Sequence, residues 1–171
     1  MRTVAALLLT AIIAFGTELT VDTKRSSIDF TATEFFFVSV DGNFSKFGGT
    51  ISVEDGRITA INGDVAVISI DTDNARRDDH LLSSDFFDEV TYKSILFRST
   101  KINDDSVEAE MTIKDITKRI TFKMKKIEVA ETGVKVILTG VVDRTEFDID
   151  NNFMSAIIHD DIDIKATLVA Q

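Results

Sequence analysis

The chain has 171 residues, with 29 acidic and 19 basic side chains, a net charge of −10 at pH 7, and no cysteine, proline or tryptophan. This length suits one domain with a sizeable core. The acidic surface argues against nucleic acids and anionic membranes as partners. The absence of cysteine excludes disulfides and a lipid-modified N-terminal cysteine.

Residues 1–16, MRTVAALLLTAIIAFG, are predicted to be a secretory signal peptide. Arg2 supplies the positively charged n-region, residues 4–15 form the apolar region, and small residues follow at the expected cleavage site. The run is too short to cross a bilayer, and a buried N-terminal helix is the alternative. No comparable run follows, so we expect residues 17–171 to form one periplasmic or secreted domain without a stable membrane span.

From residue 26 onward, apolar and polar residues alternate, which is typical of strands with one buried face. In SSIDFTATEF, Ile28, Phe30 and Ala32 share one face. The same alternation recurs in SVEAEMTI (106–113), KRITFKMKKIEV (118–129), GVKVILTGVV (133–142) and DDIDIKATLVA (160–170).

Turn-forming residues separate these segments, at Asp41-Gly42, Gly48-Gly49, Asp55-Gly56, Asn62-Gly63, Asn103–Asp105 and Thr132-Gly133. They indicate about eight strands joined mostly by hairpins. The sequence therefore predicts an all-β fold, an antiparallel eight-stranded barrel, with a sandwich as the alternative. Side chains fill a barrel of this size, or leave space for one small apolar ligand.

One long, partly helical crossover is predicted over residues 71–91. Residues 75–89 can hold one or two helical turns, and Ser84 is a candidate cap for a short helix beginning near Asp85. Phe86 and Phe87 lie side by side in this otherwise polar stretch. We expect them to form the apolar underside of a lid, because burying one such ring contributes about 1.5–3 kcal/mol. A plug that closes the barrel without touching a ligand is the alternative.

The same stretch has a specific motif, namely Arg77-Asp78-x-His80-Leu81-x-Ser83-x-Asp85-Phe86-Phe87 followed by Tyr92. This string resembles the YceI-like family of secreted lipid-binding proteins. SSIDF near the start, VDGNF (40–44), MTIKDITKRITF (111–122) and DRTEF (143–147) resemble the family's other blocks in the same order. The resemblance implies a lipocalin-like barrel. Its apolar tunnel would hold a long isoprenoid or fatty chain, such as a quinone tail.

The sequence departs from the family pattern at a few positions. Glu34 stands where the family has a histidine in its first long strand, Lys93 replaces a proline, and Asp115 and Asp148 replace glycines. An inward Glu34 would need a partner or a proton, because an unpaired carboxylate in an apolar interior is costly. A bulge at residues 35–37 would turn it outward instead.

The predicted ligand contacts combine inward strand positions with the lid. Alternation selects Phe30, Phe36, Ile70, Phe97, Met111, Phe122, Met124, Leu138 and Ile164. The lid and the resemblance add Glu34, His80, Leu81, Phe86 and Phe87. The alternative is that these side chains fill a dry core, and composition does not separate the two cases.

Catalysis and metal binding have less support in the sequence. His80 with Ser83 or Ser84 is the simplest candidate for an activated serine, but no Gly-x-Ser-x-Gly motif is present. His80 and His159 each adjoin aspartates, yet neighbours on a strand point in opposite directions and chelate poorly. We therefore expect neither an enzyme nor a metal site.

The functional prediction is a carrier of one apolar lipid, with no cofactor besides that bound isoprenoid. The alternative is a ligand-free secreted barrel that acts as an interaction or stress-protection module. A homodimer through Phe35 or Phe37 on the outer face is a further expectation.

Overall fold

The computed structural model describes residues 16–34, 37–149 and 158–171, so the predicted signal peptide lies outside the described residues except for Gly16. The described residues form eleven strands and one α-helix. The strands are β1 (Thr17–Thr20), β2 (Ser27–Glu34), β3 (Val38–Phe44), β4 (Phe47–Glu54), β5 (Arg57–Ala66), β6 (Ile70–Asp71), β7 (Ser94–Ile102), β8 (Ser106–Ile113), β9 (Ile116–Ala130), β10 (Gly133–Asp143) and β11 (Asp161–Ala170). The helix is α1 (Ala75–Leu82), and two short 3-10 helices span Val67–Ser69 and Arg144–Phe147.

All eleven strands belong to one antiparallel, curled sheet in the order β1-β4-β5-β7-β8-β9-β10-β11-β2-β3-β6. The curl brings β11 against β2 over five residue pairs, and Val21, directly after β1, bridges Ala170 at the end of β11. The predicted all-β antiparallel class and the long, partly helical crossover are confirmed. No helix within the described ranges is long and apolar enough to cross a membrane.

The predicted count of eight strands is wrong, since the described residues form eleven, and three pairs of successive strands are separated by bends. Residues 22–26 separate β1 from β2, Ser45 and Lys46 separate β3 from β4, and the 3-10 helix Val67–Ser69 separates β5 from β6. The second and third bends hold each other, since the Ser45 N–H donates to the Ser69 carbonyl at 3.1 Å. None of these bends contains glycine, and no turn was predicted at any of them.

Three predicted turns instead lie inside strands, at Gly42 in β3, Gly48-Gly49 in β4 and Gly63 in β5. A side chain at Gly42 would clash with the ring of Phe30, and one at Gly49 with the Asn62 carbonyl. Glycine at these two positions permits close approach rather than a reversal of the chain. The other three predicted turns do connect successive strands, namely Asp55-Gly56, Asn103–Asp105 and the turn at Thr132.

The helix α1 lies within the predicted range 75–89, but it begins about ten residues before the candidate start near Asp85. The Asn74 side chain caps α1 by accepting a hydrogen bond from the Arg77 N–H at 3.1 Å. Ser84 and the three residues after it form turns. Asn and Ser are both favourable caps, so local preference did not decide between the two positions.

The two ends of the curled sheet differ. At one end, the Gly56 N–H donates to the Glu131 carboxylate at 2.9 Å, which ties the β4–β5 turn to the β9–β10 turn. Behind these turns lies a set of nearly inaccessible side chains, which we call the packed end: Leu19, Ile51, Val53, Ile58, Val107, Ala109, Met124, Val134 and Val136. The opposite end, which we call the helix end, carries α1 and the Lys114-Asp115 turn.

Candidate functional site

A cavity of about 810 Å³ lies inside the curl of the sheet. Ligand pockets in proteins commonly measure roughly 300–1,000 Å³. Alternate residues of the strands supply its wall. On β2 and β11 these are Ile28, Phe30, Ala32, Ile162, Ile164, Ala166 and Leu168. The intervening Asp163 and Lys165 are exposed, as alternation requires.

Most residues predicted to contact a ligand lie around this one cavity. They are Phe30, Glu34, Ile70, His80, Leu81, Phe86, Phe87, Phe97, Met111, Phe122, Leu138 and Ile164. Met124 is not part of the wall. It shares the face of Phe122 but lies nearer the packed end, where it is 4% exposed. Phe36 lies outside the described residues. Ligand contact stays a prediction for the whole set.

Phe86 and Phe87 face the cavity from the crossover. The Phe86 ring is buried and stands edge-on to the His80 ring, with centroids 4.8 Å apart. The Phe87 ring stands edge-on to Phe44 of β3 at 6.5 Å. The Phe87 N–H donates to the Leu81 carbonyl at 3.1 Å, which folds the turn back under the helix. The crossover therefore covers the helix end with an apolar underside.

Thr72, Arg77 and Asp78 form a hydrogen-bonded cluster, the Thr72 clasp, at the start of the crossover. Arg77 donates from Nε to the Thr72 hydroxyl at 2.8 Å and from Nη2 to the Thr72 carbonyl at 2.7 Å. One oxygen of Asp78 accepts from the Thr72 N–H at 3.0 Å and from its hydroxyl at 2.6 Å. Arg77 and Asp78 thus hold the start of the crossover through the backbone and the hydroxyl of Thr72. The buried Thr72 was missed, because an isolated threonine in a polar stretch carries no signal.

Glu34 contributes to the cavity wall at the last position of β2. Its backbone pairs with Val38 and bridges Ile158. This placement agrees with the inward alternation of β2. The chain therefore places a half-buried glutamate at the cavity wall.

Arg144 is a cavity residue that sequence reasoning missed. It is 4% exposed, and its guanidinium donates to the carbonyl oxygens of Ile149 at 3.0 Å, Ile158 at 3.1 Å and His159 at 3.2 Å. It also pairs with the Asp160 carboxylate at 3.0 Å. The side chain fixes residues on both sides of residues 150–157 at the helix end. Arg144 belongs to the DRTEF block, but the block alone does not predict its burial. The buried charge is stabilised by carbonyl groups that lie further along the chain.

The hydrogen bond of the candidate Ser83 goes to the backbone of His80 and not to its ring. The Ser83 hydroxyl donates to the His80 backbone carbonyl at 2.7 Å, and the His80 ring packs on Phe86. An activated serine would instead donate its hydroxyl proton to the imidazole ring of His80, which would act as the general base. Among the described residues, no three His, Cys, Asp or Glu side chains come together in a way that could hold a metal ion.

Polar groups of the wall concentrate at the helix end. Seven of them come from β2, the crossover and the segment after β10, namely Glu34, Thr72, Asn74, Arg76, Arg77, His80 and Arg144, and Asn62 and Asp64 of β5 also line the wall. The deep part of the wall is formed by residues such as Val21, Ile61 and Leu168. The cavity can therefore enclose an apolar chain while offering hydrogen-bonding groups at one end.

Comparison with known proteins agrees with this geometry. The YceI-like domain model matches residues 19–170 of the chain. The chain is 28% identical over 144 residues to a UPF0312 protein of Staphylococcus aureus (strain N315), covering 80% of this chain and 84% of that protein.

Solved structures show the same fold. The Burkholderia cenocepacia BcnA structure has a TM-score of 0.79 and 21% identity, covering 88% of this chain and 99% of that one. A polyisoprenoid binding domain from Saccharophagus degradans has a TM-score of 0.74 and 12% identity, covering 90% and 97%. Since the family model spans nearly all described residues, the resemblance seen in the sequence is confirmed, and the chain belongs to the YceI-like family.

Proposed function

We propose that the protein binds one long apolar lipid inside the curled sheet and carries it within the bacterial envelope. The observation that supports this most strongly is the cavity of about 810 Å³ with apolar strand walls. A barrel that works only through its outer surface would need a filled interior, and the helix end is not filled.

The size of the cavity favours an apolar occupant. Most of the wall is apolar, and side chains that line an empty space lose the contacts that a packed core would give them. Water fills such a space poorly because it finds few polar partners. A hydrocarbon chain supplies contacts and contributes about 0.8 kcal/mol for each CH₂ removed from water.

The shape of the cavity favours a long ligand with one polar end. Ile162 and Leu168 of β11 both line it, and six residues of strand extend about 20 Å at about 3.3 Å per residue. We place the apolar tail toward the packed end and the head group near the polar side chains of the helix end. A polyisoprenoid or isoprenoid quinone suits this arrangement, as does a fatty chain. The name of the Saccharophagus degradans domain supports the polyisoprenoid class.

We further propose that the curled sheet acts as a closed lipocalin-like barrel and that the protein is exported. The pairings of β11 with β2 and of Val21 with Ala170 support closure. The signal-like residues 1–16 support export to the periplasm. Transport in this sense is binding and release, and no chemical step is included.

Detergent-free purification tests the proposal. We expect the full chain, expressed in a bacterial host with its own N-terminal segment, to carry one lipid per polypeptide in native mass spectrometry and in an organic extract. The matched variants are Ala166→Phe, which fills the cavity wall, and Lys165→Phe, which adds the same ring on the exposed face. The first should lose the lipid while keeping its circular dichroism spectrum, and the second should retain it. No lipid, together with no uptake of added isoprenoid, would contradict the proposal.

A further inference from the structure

The wall of the cavity ends at a common level on four neighbouring strands, β8 to β11. On these strands, the wall residues nearest the packed end are Met111, Phe122, Leu138 and Leu168. The next inward-facing residue on each strand lies outside the wall and is 4% exposed or less. We call these four residues the floor, and they are Ala109, Met124, Val136 and Ala170.

The other side of the curled sheet ends the cavity in the same way. Val21, directly after β1, and Ile61 of β5 both line the wall. Leu19, Ile51 and Ile58 follow toward the packed end, lie outside the wall and are 5%, 0% and 5% exposed. Side chains of the packed end therefore fill the space behind the floor, and an apolar chain that reaches the floor stops there.

Met124 is the largest side chain of the floor. It pairs with Leu138 across β9 and β10 and lies two residues from Phe122 on its own strand. Both of these neighbours line the cavity, so Met124 lies between the wall and the packed end. A long, unbranched thioether side chain fills an irregular gap well, and its truncation deepens the cavity more than truncation of the alanines or the valine.

The depth of the cavity limits how much of an isoprenoid chain enters. The wall follows β11 for about 20 Å from Ile162 to Leu168, which is roughly 15 Å along the axis of a barrel whose strands tilt by roughly 35–45°. Three bonds of an extended chain span at most about 3.6 Å, so the four bonds of an isoprene unit span about 5 Å. About three or four isoprene units therefore fit between the helix end and the floor.

We propose that the floor, and Met124 above all, limits the enclosed tail to about three or four isoprene units that enter from the helix end. The excess of a longer tail stays at the mouth of the cavity, in contact with water. This limit rests on the proposed function, because it concerns the same bound lipid.

Prenols of increasing length provide the first test. The full chain is titrated with prenols of two to six isoprene units, each in competition with a bound fluorescent fatty acid. We expect the affinity to rise at least about tenfold for each added unit up to about four units, because each unit removes CH₂ groups from water. Beyond that length, the affinity should change by less than about threefold, because the added units stay in water.

The outcomes of this titration separate the limit from the proposed function. An affinity that still rises tenfold per unit at six units would overturn the limit and leave the proposed function intact. Absence of binding at every length would overturn both.

Truncation of the floor provides the second test. In Met124→Ala, we expect the affinity to level off about one isoprene unit later, so that the five-unit prenol binds at least about threefold more tightly than the four-unit prenol. The control Ile58→Ala truncates an equally buried side chain that does not line the cavity, and its affinity should level off at the same length as in the parent chain. Equal behaviour of the two variants would show that Met124 does not set the length.

A variant with the opposite effect distinguishes a floor from a general loss of packing. Ala109→Leu adds apolar volume to the floor, so the affinity should level off about one isoprene unit earlier than in the parent chain. A shift to longer prenols in both Ala109→Leu and Met124→Ala would overturn the proposal. The titration of the parent chain tests the limit even if one of these variants does not fold.

Discussion

The packed end and the helix end are built from the same strands, and β10 shows how they diverge. Val134 and Val136, at the packed end, are 2% and 0% exposed, whereas Leu138 and Val142 further along the strand line the cavity. Between these two lies Gly140, where a side chain would clash with the ring of Phe122. Small β-branched side chains thus meet at one end, and a ring lies over a glycine at the other.

The same arrangement occurs elsewhere in the sheet, where Phe30 of β2 lies over Gly42 of the neighbouring strand β3. A ring that occupies the place of a missing side chain lies along the wall instead of reaching the centre. Alternation thus determines which residues face inward. The distribution of glycine and aromatic residues then determines whether the interior closes. Four sets of variants test this difference between the two ends.

The largest effect is expected from matched isoleucine truncations at the two ends. Ile51→Ala at the packed end creates a new void and should lower the free energy of unfolding by about 2–5 kcal/mol. Ile164→Ala enlarges a cavity that already exists, so it should cost less than half as much in the lipid-free protein. Urea unfolding monitored by circular dichroism measures both. Equal losses would mean that the helix end is packed as tightly as the other.

A smaller effect is expected from Gly140→Ala. The added methyl group should push the Phe122 ring toward the cavity and lower the free energy of unfolding by about 1–3 kcal/mol, while reducing lipid capacity. Gly133→Ala on the same strand meets only ordinary contact with the Ala170 carbonyl at 3.7 Å and is the control. The double variant Gly140→Ala with Phe122→Leu should regain lipid binding. If the double variant did not regain lipid binding, the position of the Phe122 ring would not control the lipid capacity of the cavity.

Loss of the Thr72 clasp should loosen only the helix end. Thr72→Val keeps the shape but removes the hydroxyl shared by Arg77 and Asp78, at a cost of about 1–2 kcal/mol. Amide hydrogen exchange should accelerate in α1 and remain unchanged at Val136, and bound lipid should dissociate faster. Equal acceleration of amide exchange in α1 and at Val136 would show that the crossover is not an independent lid.

The smallest effect concerns Asp143, which precedes Arg144 in the chain. A hydrogen bond from the Thr145 hydroxyl lowers the pKa of Asp143, so its stabilising contribution is present above the ordinary aspartate value and is lost as the pH falls through the folded value. Thr145→Val should move this pKa upward in an NMR titration. Glu108, whose pKa is lowered first by the Asn103 side chain, is the control and should not change. An unmoved Asp143 would contradict this assignment.

The sequence predicted the faces of the strands well, because alternation is local and is enforced by burial of one face. Ile28, Phe30 and Ala32 of β2 face inward as expected, and so do Ile162 and Ile164 of β11. Met124 faces inward as predicted, but it lies nearer the packed end and not in the cavity wall. Position along the interior depends on which strands lie opposite, and local alternation does not give it.

Features that depend on distant partners could not be predicted. The bend at Ser45 is held by the carbonyl of Ser69, and the burial of Arg144 depends on carbonyls up to fifteen residues away. Glycines in β3 and β4 were interpreted as turns because their packing role depends on a ring or carbonyl across the sheet. The position of α1 depended on a choice between two equivalent capping residues.

An experimental electron-density map of the detergent-free protein would test most directly whether the interior is hollow and occupied. The account predicts one continuous, elongated density running from Leu168 to the crossover near His80, with Phe30 and Phe122 flat against the wall. Inward side chains from opposite walls that meet each other, with no space between them, would contradict it.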